Sequence, residues 1–341
     1  ENMINNIKTT IVDDYLYVWE KLNTDGIRLL HMYGKIPEAY VCDTIENLPV
    51  TEIAPYCFTE KKKEALEAAG ITVPYDMTSL SGQYVSRIIL PDSLTKIGGL
   101  AFYNCRNLSE IEMSAAAPDV DGDAFMNCIC LHKIILRGDA GEKSYLRQIL
   151  AQITWKIIIC WQNHEKNTAQ AIFFEYDQSY DEIGPAHIFK LNMAGVGFRA
   201  RQSFSGRVFA WKQYDDTFIE AKALECEKDL LDMAFSRIKY PYELDMEAKK
   251  IYLTYVQEHK KALSQIIIDE KNTDNLNCLL EIDRISGGSA DEFNVRKIID
   301  AQFITEMIDE AAQAGWGEGS VILLRYKKKN ISKRRSERFK F

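Results

Sequence analysis

The chain repeats itself every 23 residues, and no other feature constrains its fold as much. Val85, Leu108 and Leu131 stand 23 apart, as do Ile88, Ile111 and Ile134, and Leu90, Met113 and Leu136. The second half of the unit keeps the same step, from Ile97 to Val120, Phe102 to Phe125 and Cys105 to Cys128. A fixed period in the range of about 20–50 residues belongs to stacked supersecondary units, each of which buries the exposed face of the one before.

Within a unit, 85–90, 108–113 and 131–136 share the pattern apolar-x-x-apolar-x-apolar. The last two apolar positions alternate as in a strand with one buried face, so parallel strands are predicted at these three places. Turns follow at Pro91-Asp92-Ser93 and Ala117-Pro118-Asp119, then Ile97-Gly98-Gly99-Leu100-Ala101-Phe102 and Val120-Asp121-Gly122-Asp123-Ala124-Phe125. The glycines are expected to permit a tight bend. Each Phe is expected to fill the space between two walls of a coil, with a small, burial-tolerant Cys three residues on.

The segment "LPDSLTKIGGLAFYNCRNLSEIEM" at 90–113 resembles the leucine-rich repeats of the BspA type, found in bacterial surface and host-associated proteins. The region 26–58 is similar to that family's opening segment, since Ile53 to Phe58 repeats the spacing of Ile97 to Phe102. Phe58 to Phe102 is 44 residues, close to two periods, and the excess holds "TEKKKEALEAAG", read as an inserted helix ended by Gly70. The resemblance covers roughly 20–160. Adding 23 to Leu131, Ile134 and Leu136 gives Thr154, Ile157 and Ile159, so a fourth strand is predicted near 154–160. Between it and the third, "GEKSYLRQILAQI" has helical spacing and suits a terminal unit. The expected fold class is α+β: a short leucine-rich-repeat solenoid of parallel strands, a small β-containing segment, and an α-helical, ankyrin-like hairpin domain. Residues 1–164 are assigned to the repeat domain, clearest at 85–136 with a capping unit at 137–161.

At 341 residues, with 46% hydrophobic and 27% charged residues, two folded domains are the natural expectation. No apolar run approaches the ~18–20 residues of a membrane-spanning helix, and the first 21 residues lack a leader-like apolar stretch. The eight cysteines lie in apolar contexts without paired ligand spacing, which reads as structural thiols rather than disulfides or a metal centre. Reduced thiols favour the cytoplasm; the family resemblance implies a cell-surface or secreted alternative.

Residues 165–341 read as a mixed second domain. An aromatic-rich stretch, 171–214, interleaves Arg199, Arg201, Arg207 and Lys212 with rings such as Trp211, and "HIFKLNM" and "GRVFAWKQY" look like strands. It is either a ligand platform or a small aromatic core, and aromatics are the usual material of small cores. From 215 to 329 the chain reads as helices: one over "DDTFIEAKALECEKDLLDMAFSRIK", stopped by Tyr240-Pro241, and another capped by Asp245. "MIDEAAQAGWGEGSVILLRYK" resembles an ankyrin-type helix hairpin. The tail 327–341 has eight Lys/Arg against one Glu, a net +7 on a chain of net −8. Such a tail can meet nucleic acid or anionic lipid, but no nucleic-acid fold accompanies it.

Little reads as chemistry. His164-Glu165 lacks the second His of a helical zinc motif, and Gly195-x-Gly197-x-x-Ala200 imitates a dinucleotide fingerprint without a βαβ unit around it. No phosphate-binding loop or nucleophile elbow occurs. No catalytic residue, metal ligand or cofactor is assigned. The expected function is a non-catalytic scaffold for a protein or peptide partner, with cell-surface adhesion and nucleic-acid association through the tail as alternatives. If Leu108, Ile111 and Met113 point inward, then Glu110 and Glu112, with Lys133 and Ile135 in the next unit, form a mixed polar and apolar strip for docking. Arg199, Arg201 and Trp211 are expected to extend that strip.

Overall fold

The computed structural model describes residues 7–164, 166–183, 188–286 and 298–330. They form two compact units, Glu1–Leu224 and Glu225–Phe341. The division expected after 164 falls instead after Leu224. The physical reason is a continuous sheet: Ile157–Asn163 pairs antiparallel with Lys166–Phe173, from Ile157↔Phe173 to Asn163↔Lys166, across the expected boundary.

The repeats build two walls. The front sheet runs, in spatial order, Lys166–Phe173, Ile157–Asn163, Lys133–Arg137, Glu110–Ser114, Arg87–Ile89 and Glu38–Tyr40. All neighbours are parallel except the first pair. Ile88, Ile111 and Ile134 are aligned in register and fully buried, as the 23-residue step requires. The fourth strand departs from that step. Ile134 pairs with Ile159 rather than Ile157, and Leu136 with Trp161, an offset of 25. The connection there carries the helix Leu146–Leu150. Two extra residues leave the strand's alternation intact, so Ile159 and Trp161 still face the core.

The rear sheet runs Ile7–Val12, Tyr15–Lys21, Ile27–Gly34, Leu48–Ile53, Lys96–Ile97 and Asp119–Val120. Ile53, Ile97 and Val120 align across the last three. Between the walls, Phe58, Phe102 and Phe125 form one stack, with centroids 5.3 Å apart at each step and planes within 21° and 19° of parallel. Each cysteine thiol donates to the Phe carbonyl of the preceding unit: Cys105 Sγ to Phe58 O at 3.2 Å and Cys128 Sγ to Phe102 O at 3.1 Å. The left-handed residue of the bend is not a glycine. It is Tyr56, Leu100 and Asp123 in successive units, with φ of 59°, 56° and 58°. Gly98 is needed for close approach, because a Cβ there would lie 2.5 Å from Pro55 N.

The ends of the stack are closed by side chains. Gln148 Oε1 accepts from Val120 N and Gln152 Nε2 donates to Asp121 O, so the helix and the turn after it bond to the last rear strand in place of another strand. At the front, the Tyr214 hydroxyl accepts from Ile172 N and donates to Ile172 O, both at 2.8 Å. At the opposite edge the Tyr17 hydroxyl donates to Tyr40 O at 2.6 Å. The inserted helix is Glu60–Ala68, capped by Thr59 and followed by Gly70 at φ 84°. Leu66 packs it with Leu16, Val18 and Leu30 in a small core outside the rear sheet.

Trp161, Phe173, Phe204, Phe209, Trp211 and Tyr214 form a connected ring cluster, so the aromatic stretch is a core. Trp211 opens a helix, Trp211–Leu224, rather than continuing a strand. The single helix expected over 215–239 is two, ending at Leu224 and resuming at Glu227 behind Cys226. Of the fingerprint glycines, Gly195 caps and Gly197 lies on a five-residue helix, Val196–Ala200, after the antiparallel hairpin Asp177–Ile183/Ile188–Ala194.

The second unit packs its helices in consecutive pairs: Glu227–Lys239 with Met246–Glu258, Lys260–Asp269 with Thr273–Ser286, and Phe303–Gln313 with Gly317–Asn330. Asp245 caps its helix by accepting from Ala248 N. The last pair turns at Gly315, φ 66°. Buried Asp283 accepts from Ile299 N and from the Tyr326 hydroxyl. Residues 331–341 of the basic tail, and Glu165 of the His-Glu pair, lie outside the described residues.

Candidate functional site

The strip predicted from alternation is present, but its charges are already paired with one another. Glu38, Arg87, Glu110 and Lys133 occupy one register position on four successive front strands, and their signs alternate. Arg87 reaches Glu110 at 2.8 Å, Glu112 at 3.0 Å and Glu38 at 3.8 Å. Lys133 reaches Glu110 at 2.8 Å, and Arg137 joins Glu112 at 2.9 Å and Asp92 at 2.8 Å. Burial pushes the Glu110 carboxyl up, but Lys133 and Arg87 outweigh it and hold the group below the usual carboxylate range. Like charges at a 23-residue step would repel in a parallel stack; alternation turns the same position into a ladder.

Ile135 is not exposed. It is aligned with Glu112 and Cys160, and only 5% of its surface is accessible, because long ion-paired side chains stand on either side of it. Arg201 and Trp211 leave the docking strip for the same kind of reason. Arg201 is buried and donates to three carbonyls, Phe174 O, Gly197 O and Trp155 O, at 2.6–2.8 Å. Burial lowers its pKa to about 10. It ties the cap strands to the loop before the aromatic core. Trp211 is packed edge-on to Phe209 and Trp161. Arg199 alone of these three is exposed, and it pairs with Glu220.

A different face carries an unfilled concavity. A groove of about 430 Å³ crosses the bends of successive units and is lined by Tyr56, Glu60, Lys61, Leu100, Tyr103 and Met126, among others. Tyr56 and Leu100 hold the left-handed bend position, which turns consecutive loops the same way. Asn104 and Asn127, also left-handed, are joined by Asn127 Nδ2 donating to Asn104 Oδ1 at 2.8 Å. Lys61 lies over the Tyr56 ring at 5.2 Å, and Met126 is half exposed. Glu60 connects the groove to the interior through Ser81, Ser79 and His31, at 2.9, 2.7 and 2.8 Å in turn.

Burial raises the thiols of Cys57, Cys105, Cys128 and Cys160, Cys128 to about 12 and Cys160 to about 11, which makes these groups inert as nucleophiles. Among the described residues, no three His, Cys, Asp or Glu side chains converge as metal ligands do, and no helix is long and apolar enough to cross a membrane.

Residues 51–145 match the BspA type leucine rich repeat region in six copies. This stretch is a BspA-type leucine-rich repeat region. The match does not extend to the helix pairs of the second unit. Two solved structures are similar to part of the chain. A leucine-rich repeat protein from Bacteroides capillosus is 24% identical, over 37% of this chain and 80% of its own, with a TM-score of 0.27. The T. pallidum leucine-rich repeat protein is 21% identical, over 38% of this chain and 72% of its own, with a TM-score of 0.22. No curated protein matches the chain.

Proposed function

We propose that the leucine-rich repeat unit is a non-catalytic scaffold that docks a polypeptide in the groove beside Tyr56, Tyr103 and Met126. The observation that carries this reading is the contrast between two faces of one rigid array. The front strip spends its charges on its own ladder, whereas the groove offers two tyrosines, Leu100 and a half-exposed methionine beside a carboxylate and an ammonium. Aromatic and methionine side chains in a concavity with a few polar groups suit polypeptide contact.

The test is quantitative recovery of partners from the source cell with three baits: wild type, a Tyr103→Ser/Met126→Asp variant, and Arg199→Ala as a surface control. Circular dichroism and melting confirm that each is folded. Loss of a partner only with the groove variant supports the reading. Equal recovery by all three baits removes the groove, and turnover of a substrate by the purified chain removes the scaffold.

A further inference from the structure

Among the described residues, three of the four edges of the two repeat walls are met by specific side chains, and the fourth is built differently. The strand Ile7–Val12 borders the rear sheet, and among the described residues its backbone pairs only with Tyr15–Lys21. It carries no proline and no bulge, and its one charged residue, Lys8, is already tied to Glu46 at 3.4 Å and lies over the Trp19 ring. Thr10 donates to the same Glu46 and accepts from Trp19 Nε1. One face of the strand is therefore pinned, and the usual blunting of an edge by a free lysine is missing. Ile11, on the other face, is 58% exposed.

We propose that Ile7–Val12 is a contact strand for a second copy of this chain, pairing antiparallel with its own equivalent. Cross-strand partners share a face, and Thr9 and Ile11 stand opposite Val18 and Leu16 of the small outer core, against which Ile7 also packs. Lys8 and Thr10 stand opposite Trp19 and Tyr17 on the other face. A two-fold axis perpendicular to the sheet keeps each face with itself. Centred on Thr9, it sets exposed Ile11 beside Ile7 of the second copy, and Lys8 beside Thr10 of the second copy with its Glu46. Apolar meets apolar and charge meets its complement. Both open edges are satisfied by one isologous contact. This goes beyond the docking groove and does not depend on it.

The experiment is sedimentation velocity on the full chain from micromolar to hundreds of micromolar, beside hydrogen exchange of the 7–12 amides. Wild type is expected to form a dimer, with protection of these amides that rises with concentration. Ile11→Lys, at an exposed position, is expected to weaken the dimer at least about tenfold while leaving the circular dichroism spectrum unchanged. Ile219→Lys, which removes another exposed isoleucine, is expected to change nothing. A wild-type monomer throughout overturns the proposal. So does a dimer insensitive to Ile11→Lys, or one equally sensitive to Ile219→Lys. Concentration-independent protection of 7–12 also overturns it, since the edge would then be covered from within the chain.

Discussion

Replacing Glu60 by glutamine tests a hydrogen count inside the first unit. His31 Nδ1 faces Cys57 O at 2.5 Å, and a carbonyl only accepts, so this nitrogen carries the hydrogen. Burial lowers the His31 pKa to about 4, with Lys62 and Lys63 pushing the same way and Glu60 against. The ring is therefore neutral at pH 7 and Nε2 accepts from Ser79. Ser79 has then spent its hydrogen, and Ser81 has one hydrogen for two acceptors, Ser79 Oγ and the Glu60 carboxylate. Four contacts share three hydrogens: one from His31 and one from each serine. Glu60→Gln supplies the fourth from its amide. One completed hydrogen bond contributes about 1 kcal/mol. Losing a carboxylate from the first turn of Glu60–Ala68 costs about 0.3–1 kcal/mol, so the single variant sits near wild type. In a Ser81→Ala background only the loss remains. Glu60→Gln is expected to be about 1 kcal/mol more favourable beside Ser81 than in the Ser81→Ala background, about 2–4 °C in the melt of a unit this size. Four melts at pH 7 complete the cycle. Equal effects of Glu60→Gln in both backgrounds would refute the hydrogen count.

Phe102→Ala is expected to cost about 3–5 kcal/mol in urea titration, and to exceed Phe125→Ala by about 0.5–1.5 kcal/mol, because Phe102 has a ring on both sides and Phe125 stacks on Phe102 alone. The opposite order would mean the Phe stack does not carry the energetics of the array. His31 predicts a pH dependence: its folded pKa of about 4 lies below the ordinary histidine value of about 6.5, so the unfolded chain takes up the proton first. Its contribution is complete above about pH 6.5 and declines toward pH 4, by about 3 kcal/mol, and His31→Gln should flatten stability against pH over that window. An unchanged slope in that variant would place the acid sensitivity elsewhere.

What the sequence reveals here depends on whether a residue's role repeats. Ile88, Ile111 and Ile134, or Phe102 and Phe125, declare their place because the same side chain returns at the same step, and the structure buries every one of them. The alternating charges Arg87, Glu110 and Lys133 repeat in position but not in sign, so alternation marked them as outward-facing and missed that they bond to each other. The two-residue slip of the fourth strand belongs to a single helical insertion and has no second instance to reveal it. His31, Ser79, Ser81 and Glu60 span fifty residues of sequence and meet only through the fold. Arg201 and Trp211 looked like interface residues because interfaces and small cores draw on the same side chains. Burial, which composition does not encode, decides between them.

The ends of the array follow from the same physics as its middle. Each interior strand satisfies its neighbours on both sides, so repetition costs nothing in design; each terminal strand has one row of donors and acceptors without a successor. Apart from the Ile7–Val12 edge, the chain meets these rows with single residues placed outside the repeat. Gln148 on the helix Leu146–Leu150 and Gln152 in the turn just after it supply an acceptor and a donor at the last rear strand. Tyr214 does both with one hydroxyl, and that hydroxyl is held by the ring cluster of Phe173, Phe209 and Trp211. The aromatic core after the repeats is therefore part of the repeat unit's own termination. That is why the compact unit extends to Leu224 although the repeat match ends at residue 145.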